Sequence, residues 1–175
     1  RFVMAQDWAH YYGASWSDGQ NMGAGFGHWE ITKGATAVAT LERAKLAGTG
    51  INIDSNNLSF CLYGQSDYAE ASRNFIEGPL AQGQAFAVNM GINWLDGGRG
   101  LDLFDANGAE LFNFHAGDNK FYFAGAELPW PNDGNGYSYT LTVDQIAAAS
   151  TRVTLMRSDG LTNTQVFAWA NPPAR

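Results

Sequence analysis

The chain has 175 residues, enough for one domain to bury about two thirds of the surface that its unfolded form would expose. It carries 10 Lys and Arg against 17 Asp and Glu, a net charge of -7, which argues against a nucleic-acid backbone or an anionic membrane as partner. Neutral ligands and cations fit this charge better.

The remaining composition is rich in aromatic and small polar residues. Aromatics make up 14% of the chain and charged residues only 15%, so Asn, Ser, Thr, Gln and Gly must provide solubility, as in many secreted β-proteins that handle sugars. The single cysteine, Cys61, excludes an intrachain disulfide and lies in a strand pattern that favours a buried small hydrophobe over a reactive thiol. No apolar run is long enough to cross a bilayer, so we expect no membrane insertion.

The N-terminal third of the chain gives mixed signals. The first thirty residues are rich in turns and aromatics, which predicts long loops. Ala35–Leu46 has apolar residues at helical spacing, but Thr alternates with Ala there, so a short helix and a strand are both open. Asp67–Phe75 is likewise compatible with one helical turn or with a strand.

From Leu58 onward the pattern is that of short antiparallel strands separated by Gly, Asn and Asp turns. The strongest signal is the Asp105-Ala-Asn-Gly108 turn between two alternating apolar runs, which predicts a β-hairpin. Asp144–Ala149 resembles a brief helical connector. The predicted strands are Leu58–Gly64, Ala85–Ile92, Gly100–Phe104, Glu110–His115, Lys120–Ala124, Tyr137–Val143, Arg152–Arg157 and Gln165–Trp169.

These elements predict an all-β fold, an antiparallel β-sandwich or jelly roll with long aromatic- and Gly-rich loops. No linker-like tract or internal repeat is present, so residues 1–175 are predicted to form a single domain. The chain begins at Arg1 and ends with Asn171-Pro-Pro-Ala-Arg175. We expect it to be one module of a larger protein, with neighbouring domains as partners.

Several segments together resemble a β-sandwich module of large secreted bacterial proteins, often found beside polysaccharide-active domains. The resemblance covers about residues 25–123, and it implies a concanavalin-like or jelly-roll sandwich and an extracellular or cell-surface location. It carries no catalytic residue across. The segments that support it are Gly25-Phe-Gly-His-Trp29, Gly50-Ile-Asn-Ile-Asp54, Leu58-Ser-Phe-Cys-Leu-Tyr-Gly64, Ala69-Glu-Ala-Ser-Arg-Asn-Phe75, Leu80–Val88, Leu111-Phe-Asn-Phe-His115 and Lys120-Phe-Tyr-Phe123.

Loop tryptophans are the predicted ligand-binding residues, because sugar rings stack on exposed aromatic faces. Trp130 is the first candidate, since the prolines on both sides stiffen its loop, and packing as an anchor of that loop is its competing explanation. Trp16 and Trp94 follow it, each with packing in the protein interior as the competing explanation. The predicted hydrogen-bond partners of the bound sugar are Asp133, Asn135 and Asn93.

Loops rich in Asp and Asn suggest a structural calcium ion, which prefers six to eight oxygen ligands. The predicted ligands are Asp105, Asn107 and Asp118. The spacing is not that of an EF-hand, and the same residue types are common in ordinary turns. Calcium is therefore a possible cofactor alongside a purely structural interpretation of these loops.

No catalytic signature accompanies this pattern. The paired carboxylates of a glycosidase strand, a serine nucleophile elbow and a histidine pair for zinc are all missing from the sequence. The leading hypothesis is a non-catalytic carbohydrate-binding module for a polysaccharide or glycan. The alternatives are a structural or adhesion domain with loop-bound calcium, and a jelly-roll polysaccharide hydrolase or lyase.

Overall fold

The computed structural model describes residues 5–44, 51–92, 97–132 and 136–175. Within these ranges the chain consists of antiparallel strands with one short 3-10 helix, Ala9–Tyr12, so the predicted all-β sandwich class is confirmed. The chain divides into two compact units. Unit 1 comprises Arg1–Leu46, Asp54–Gly78 and Arg175, and unit 2 comprises Ala47–Ile53 and Pro79–Ala174. The single-domain assignment stays a prediction.

Unit 1 contains two small antiparallel sheets. Strand β1 (Glu30–Lys33) pairs with β4 (Ala69–Ser72), and β2 (Val38–Glu42) pairs with β3 (Ser59–Tyr63). Its interior is aromatic, with large rings that meet in edge, tilted and stacked contacts. The rings in this interior belong to Tyr12, Trp16, Phe26, Trp29, Phe60 and Phe75.

Unit 2 is a sandwich of two four-stranded antiparallel sheets. The first sheet has the order β6-β7-β8-β9 and the second has the order β12-β11-β10-β5. The strands are β5 (Ala85–Ile92), β6 (Arg99–Phe104), β7 (Glu110–Gly117), β8 (Lys120–Phe123), β9 (Ala126–Leu128), β10 (Tyr137–Ala147), β11 (Ser150–Arg157) and β12 (Thr162–Phe167).

The core of unit 2 follows from period-two alternation, since every second side chain of a strand faces the same way. Phe112, Phe114 and Ala116 of β7 are buried in this manner. The two sheets meet through ring contacts: Phe114 lies 5.4 Å from Tyr139 of β10, and Phe112 lies 6.0 Å from Phe167 of β12. The alternating pattern of the sequence therefore places the core correctly.

The hairpin predicted around Asp105 is confirmed. Leu103 of β6 pairs with Phe112 of β7, and Gly108 adopts a φ of 80°, a conformation that glycine tolerates best. The Asp105 backbone N–H donates to the Ala109 carbonyl at 2.9 Å and closes the turn. Strand β5 has the predicted bounds, whereas β12 begins and ends earlier than predicted.

The helical connector predicted at Asp144–Ala149 is wrong. Strand β10 continues to Ala147, and Gln145 is buried within it. The Gln145 side chain donates to the Ala147 carbonyl at 2.7 Å and accepts from the Thr151 hydroxyl at 2.7 Å. Pairing with two neighbouring strands overrides the helix propensity of the alanines here.

The two segments left open in the N-terminal third are both strands where described. Ala35–Leu46 contains β2, and Asp67–Phe75 contains β4. Within the described residues no helix has the length and apolar character needed to cross a membrane.

Candidate functional site

Trp130 follows β9 in the loop between Pro129 and Pro131, and it is half-buried. Its ring lies 6.1 Å from that of Phe121, and the Arg157 guanidinium carbon lies 5.6 Å from its centroid. One part of the indole therefore packs against unit 2 while another part reaches solvent. Trp130 is both an anchor for its loop and a partly accessible aromatic surface.

Arg157 fixes the backbone of this loop. Its side chain is 1% exposed and donates to both carboxylate oxygens of Asp159 at 3.0 and 2.7 Å. A third donor bonds the Pro131 carbonyl at 2.7 Å, and the guanidinium lies 4.0 Å from the centre of the Tyr137 ring. These hydrogen bonds hold the pKa of the Asp159 carboxyl below its usual range. Arg157 thus preorganises the loop that carries Trp130.

Trp16 is buried, so its prediction as an exposed residue on which a sugar ring stacks is wrong. Its side chain is 4% exposed and makes an edge contact with Trp29 at 5.1 Å and a tilted contact with Phe60 at 4.8 Å. At this degree of burial the indole has no free face for a sugar ring. The sequence placed Trp16 in a loop with polar neighbours, which suggested exposure. The prediction was wrong because this loop folds over the aromatic core.

Four other predicted site residues lie outside the described residues. They are Trp94, Asn93, Asp133 and Asn135. Their assignment to sugar binding stays a prediction.

The predicted calcium ligands do not form one site. Asp105 and Asn107 lie in the turn before β7, and Asp118 lies in the turn after it. An eight-residue strand spans about 25 Å, so these side chains are at opposite ends of β7. Within the described part of the chain, no group of three or more His, Cys, Asp or Glu side chains could hold a metal ion.

Asp105 has a structural role instead. One carboxylate oxygen accepts from the backbone N–H groups of Asn107 at 2.8 Å and Ala109 at 2.9 Å, and the other accepts from the Asn171 amide at 3.1 Å. These bonds hold the pKa of the carboxyl below its usual range. Asp118 occupies a turn position with a φ of 51°. The Asp and Asn pattern here is that of turn chemistry, which was the competing interpretation.

The sequence prediction missed a pair of exposed aromatics in unit 1. Trp8 is 39% exposed and Tyr11 is 43% exposed. They belong to one tight turn, since the Tyr11 backbone N–H donates to the Trp8 carbonyl at 3.0 Å and Tyr11 lies in the 3-10 helix. Trp8 precedes the helix with an extended backbone and Tyr11 follows three positions later, so this turn presents two aromatic side chains to solvent within four residues. The run of aromatics from Trp8 to Trp16 was visible in the sequence, but not which members face solvent.

A second turn contacts the 3-10 helix that carries Tyr11. The Nδ1 atom of His10 lies 3.0 Å from the Ser55 hydroxyl, which ties the 3-10 helix to the turn Ser55–Leu58. Asn56 and Asn57 occupy the centre of that turn with φ values of 50° and 65°, and both are exposed. Their amides offer hydrogen-bond donors and acceptors in the turn that contacts His10.

The buried ion pair of Asp7 and Arg73 is bonded to the turn that carries Trp8 and Tyr11. Asp7 accepts from the Trp8 backbone N–H at 2.9 Å, from the Tyr12 hydroxyl at 2.7 Å and from the Arg73 guanidinium. The Arg73 and Asp7 side chains are 7% and 6% exposed. Asp7 therefore links the base of the exposed turn to the interior of unit 1.

The chain matches no protein-family model, no curated protein and no solved structure. The likeness to a secreted bacterial β-sandwich module accordingly stays a resemblance.

Proposed function

We propose that this protein is a non-catalytic carbohydrate-binding β-sandwich module that holds a neutral polysaccharide or glycan on exposed aromatic rings. The observation that supports it best is the Trp8 and Tyr11 pair, displayed on one turn of unit 1. An extracellular or cell-surface location belongs to the same proposal.

The aromatic pair has the chemistry that a sugar ring requires. The C–H groups of a pyranose carry partial positive charge and pack on the electron-rich face of an indole or phenol. Two exposed rings three positions apart offer more than one aromatic face on this turn. The Trp8 backbone N–H donates to the Asp7 carboxylate, which also accepts from Arg73, and these bonds hold the turn in place and so reduce the entropy lost on binding.

Polar groups of the turn that contacts His10 can bind the sugar hydroxyls. Asn56 and Asn57 supply amides, and the His10 imidazole lies between their turn and Tyr11, its ring centre 4.6 Å from that of Tyr11. A chain of net charge -7 repels polyanions, so we expect neutral glycans to bind and strongly acidic ones to bind poorly.

The test is calorimetric titration of the purified chain with neutral polysaccharides chosen from a glycan-array screen. Trp8→Ala should weaken binding by about 1 to 3 kcal/mol, the scale for losing one aromatic contact. Tyr63→Ala is the matched control, because Tyr63 is 49% exposed but lies at the opposite end of β3 from Ser55. An array without hits, or equal binding by both variants, would overturn this proposal.

Trp130 provides the second arm of the same test. If its exposed part also contacts sugar, Trp130→Ala should lower affinity while Trp8→Ala and Trp130→Ala together abolish binding. If Trp130 is only a loop anchor, its loss should lower the melting temperature and leave affinity unchanged. The Phe121 and Arg157 contacts predict some loss of stability in both cases.

A structural or adhesion domain is the second candidate, supported by the burial of Trp16 and the packing of Trp130. In the form with loop-bound calcium, EDTA should lower the melting temperature by several degrees, because only a ligand that prefers the folded state stabilises it. An unchanged melting temperature in EDTA together with a glycan-induced increase would favour the carbohydrate-binding module.

A further inference from the structure

The turn between β6 and β7 contains a chemically reactive step, Asn107-Gly108. The side-chain amide of an asparagine can be attacked by the backbone nitrogen of the next residue, and a glycine in that position has no side chain to obstruct the attack. Every other asparagine among the described residues is followed by a residue that has a side chain. The other Asn-Gly step of the chain, Asn135-Gly136, begins outside the described residues.

The fold leaves this step open to water. Asn107 and Gly108 are both exposed, although Asp105 in the same turn is only 5% exposed. Apart from the chain neighbours of Gly108, no atom of the described residues lies within 4 Å of the point that a Cβ on Gly108 would occupy. Water and hydroxide therefore reach the reacting atoms while the core of unit 2 stays intact.

The hydrogen bonds of the turn control how often the step can react. The Gly108 N–H donates to the Asp105 carbonyl at 3.1 Å, and the Asn107 N–H donates to the Asp105 carboxylate at 2.8 Å. The Gly108 nitrogen must leave its bond before it can turn towards the Asn107 side chain. Such an opening at the tip of a hairpin breaks few bonds and no core contact, so it needs far less free energy than global unfolding.

We propose that Asn107 is a site of spontaneous deamidation in the folded protein. The Gly108 nitrogen bonds to the side-chain carbonyl carbon of Asn107, and the bond from that carbon to the side-chain nitrogen breaks. Ammonia leaves with the Gly108 N–H proton, and a cyclic imide remains. Water then opens the imide at either carbonyl and gives aspartate or isoaspartate. Water is the only co-reactant, and the products are a carboxylate and an ammonium ion.

Both products disturb the turn that closes the hairpin. The Asn107 side chain bonds the Asp105 carboxylate, so an aspartate in its place replaces a donor by a second negative charge. Isoaspartate routes the main chain through the side-chain carbons, which lengthens the turn and separates Gly108 from the Asp105 carbonyl. Asp105 also accepts from the Asn171 amide at 3.1 Å, so the disturbance extends to the C-terminal segment of unit 2.

The test is incubation of the whole chain at mildly alkaline pH, followed by peptide mapping with mass spectrometry over time. Asn107 should gain one mass unit before any other described asparagine. Asn57 is the control within the same sample, because it is also exposed in a turn, with a φ of 65°, but is followed by Leu58. Urea should accelerate the reaction at Asn107 about tenfold or more, because the turn then no longer has to open.

A matched variant tests the consequence for the hairpin. Asn107→Ser keeps a residue that favours turns and removes the reactive amide. After the same incubation, the deamidated wild type, separated by anion exchange, should melt several degrees below the starting protein. The melting temperature of Asn107→Ser should not change. An isoaspartyl methyltransferase assay on the wild type detects the isoaspartate product.

Each contrary result overturns a stated part of the proposal. An Asn107 that stays intact in the folded chain but reacts in urea would show that the turn protects it. Equal rates at Asn107 and Asn57 would contradict the role of Gly108. A deamidated form that melts with the starting protein would contradict the disturbance of the hairpin. None of these measurements involves a glycan, so they are independent of the carbohydrate proposal.

Discussion

Each compact unit buries one arginine among aromatic rings and pairs it with an aspartate, but the two clusters are assembled from different distances along the chain. In unit 1 the Arg73 guanidinium lies 4.6 Å from the Phe26 ring centre and 4.5 Å from that of Trp29, and its carboxylate partner Asp7 is 66 residues away. In unit 2 Arg157 bonds Asp159, which is 2 residues away.

The two ion pairs therefore differ in range: the Arg73 pair joins residues far apart in the chain, whereas the Arg157 pair joins near neighbours in the chain. Arg73 also donates to the Gly27 carbonyl at 2.7 Å and the Asn21 side chain at 2.7 Å, so it connects three parts of unit 1 that no long strand joins. Arg157 sits on a strand that is already paired on both sides, and Asp159 is 33% exposed. We infer that unit 1 depends on its arginine for folding, whereas unit 2 uses its arginine to shape one loop.

The largest expected effect is that of Arg73→Ala. This change leaves the Asp7 carboxylate buried without its cation, which costs about 3 to 5 kcal/mol of unfolding free energy. Urea denaturation followed by tryptophan fluorescence measures the loss. A loss equal to or smaller than that of Arg157→Ala would contradict the comparison between the two clusters.

Arg157→Ala should cost about 2 to 3 kcal/mol, because the Pro131 carbonyl loses its donor while the partly exposed Asp159 can still be hydrated. The same denaturation experiment measures it. The loop that carries Trp130 should be held less firmly, which makes its indole more accessible. Quenching of Trp130 fluorescence by a soluble quencher should therefore increase. Unchanged quenching would mean that Arg157 does not hold the loop.

The dependence of stability on acid pH should differ between the wild type and Asp159→Asn. Arg157 lowers the pKa of the folded-state Asp159 carboxyl, so its contribution is complete above the unfolded value of about 3.9 and is lost as pH falls through the folded value. Asp159→Asn should therefore flatten the decrease of melting temperature below about pH 4. Asp105, whose pKa is also lowered, keeps part of that decrease in the variant. An unaltered curve would contradict the assigned ion pair.

The smallest effect is expected at an exposed ion pair. Arg152 lies 3.4 Å from Asp144 with its side chain 46% exposed, and such pairs contribute at most about 1 kcal/mol. Arg152→Ala should change the unfolding free energy by less than that in a urea titration. It serves as the control for both buried arginines, because it removes the same side chain from solvent-exposed surroundings.

Local patterns predicted the second half of the chain well. The Asp105 turn, strand β5 and the alternating phenylalanines of β7 depend on residue periodicity and turn preference, which the sequence displays directly. Prediction was wrong at Asp144–Ala149, where alanines with helix propensity are held in β10 by pairing with its neighbours. It was also wrong for Trp16, whose burial depends on residues more than ten positions away.

For the proposed binding surface, the sequence indicated the type of residue but not the positions that are exposed. Aromatic residues and Asn-rich turns indicated stacking chemistry. The local sequence around a loop tryptophan, however, does not show whether its side chain faces the interior or the solvent. The turn that carries Trp8 and Tyr11 is bonded to distant residues through the His10 contact to Ser55 and the Asp7 contact to Arg73. These contacts span many residues and leave no periodic trace in the sequence.

The sequence by itself determined the all-β class, the alternating strands of unit 2 and the charge that disfavours polyanionic partners, because each of these follows from neighbouring residues or from simple counts. Only the tertiary structure decided which aromatics are buried, that Asp105 and Asp118 lie at opposite ends of β7, and that two arginines lie inside aromatic clusters. The physical reason is that burial and pairing between distant residues depend on how the strands pack, which local propensity does not specify.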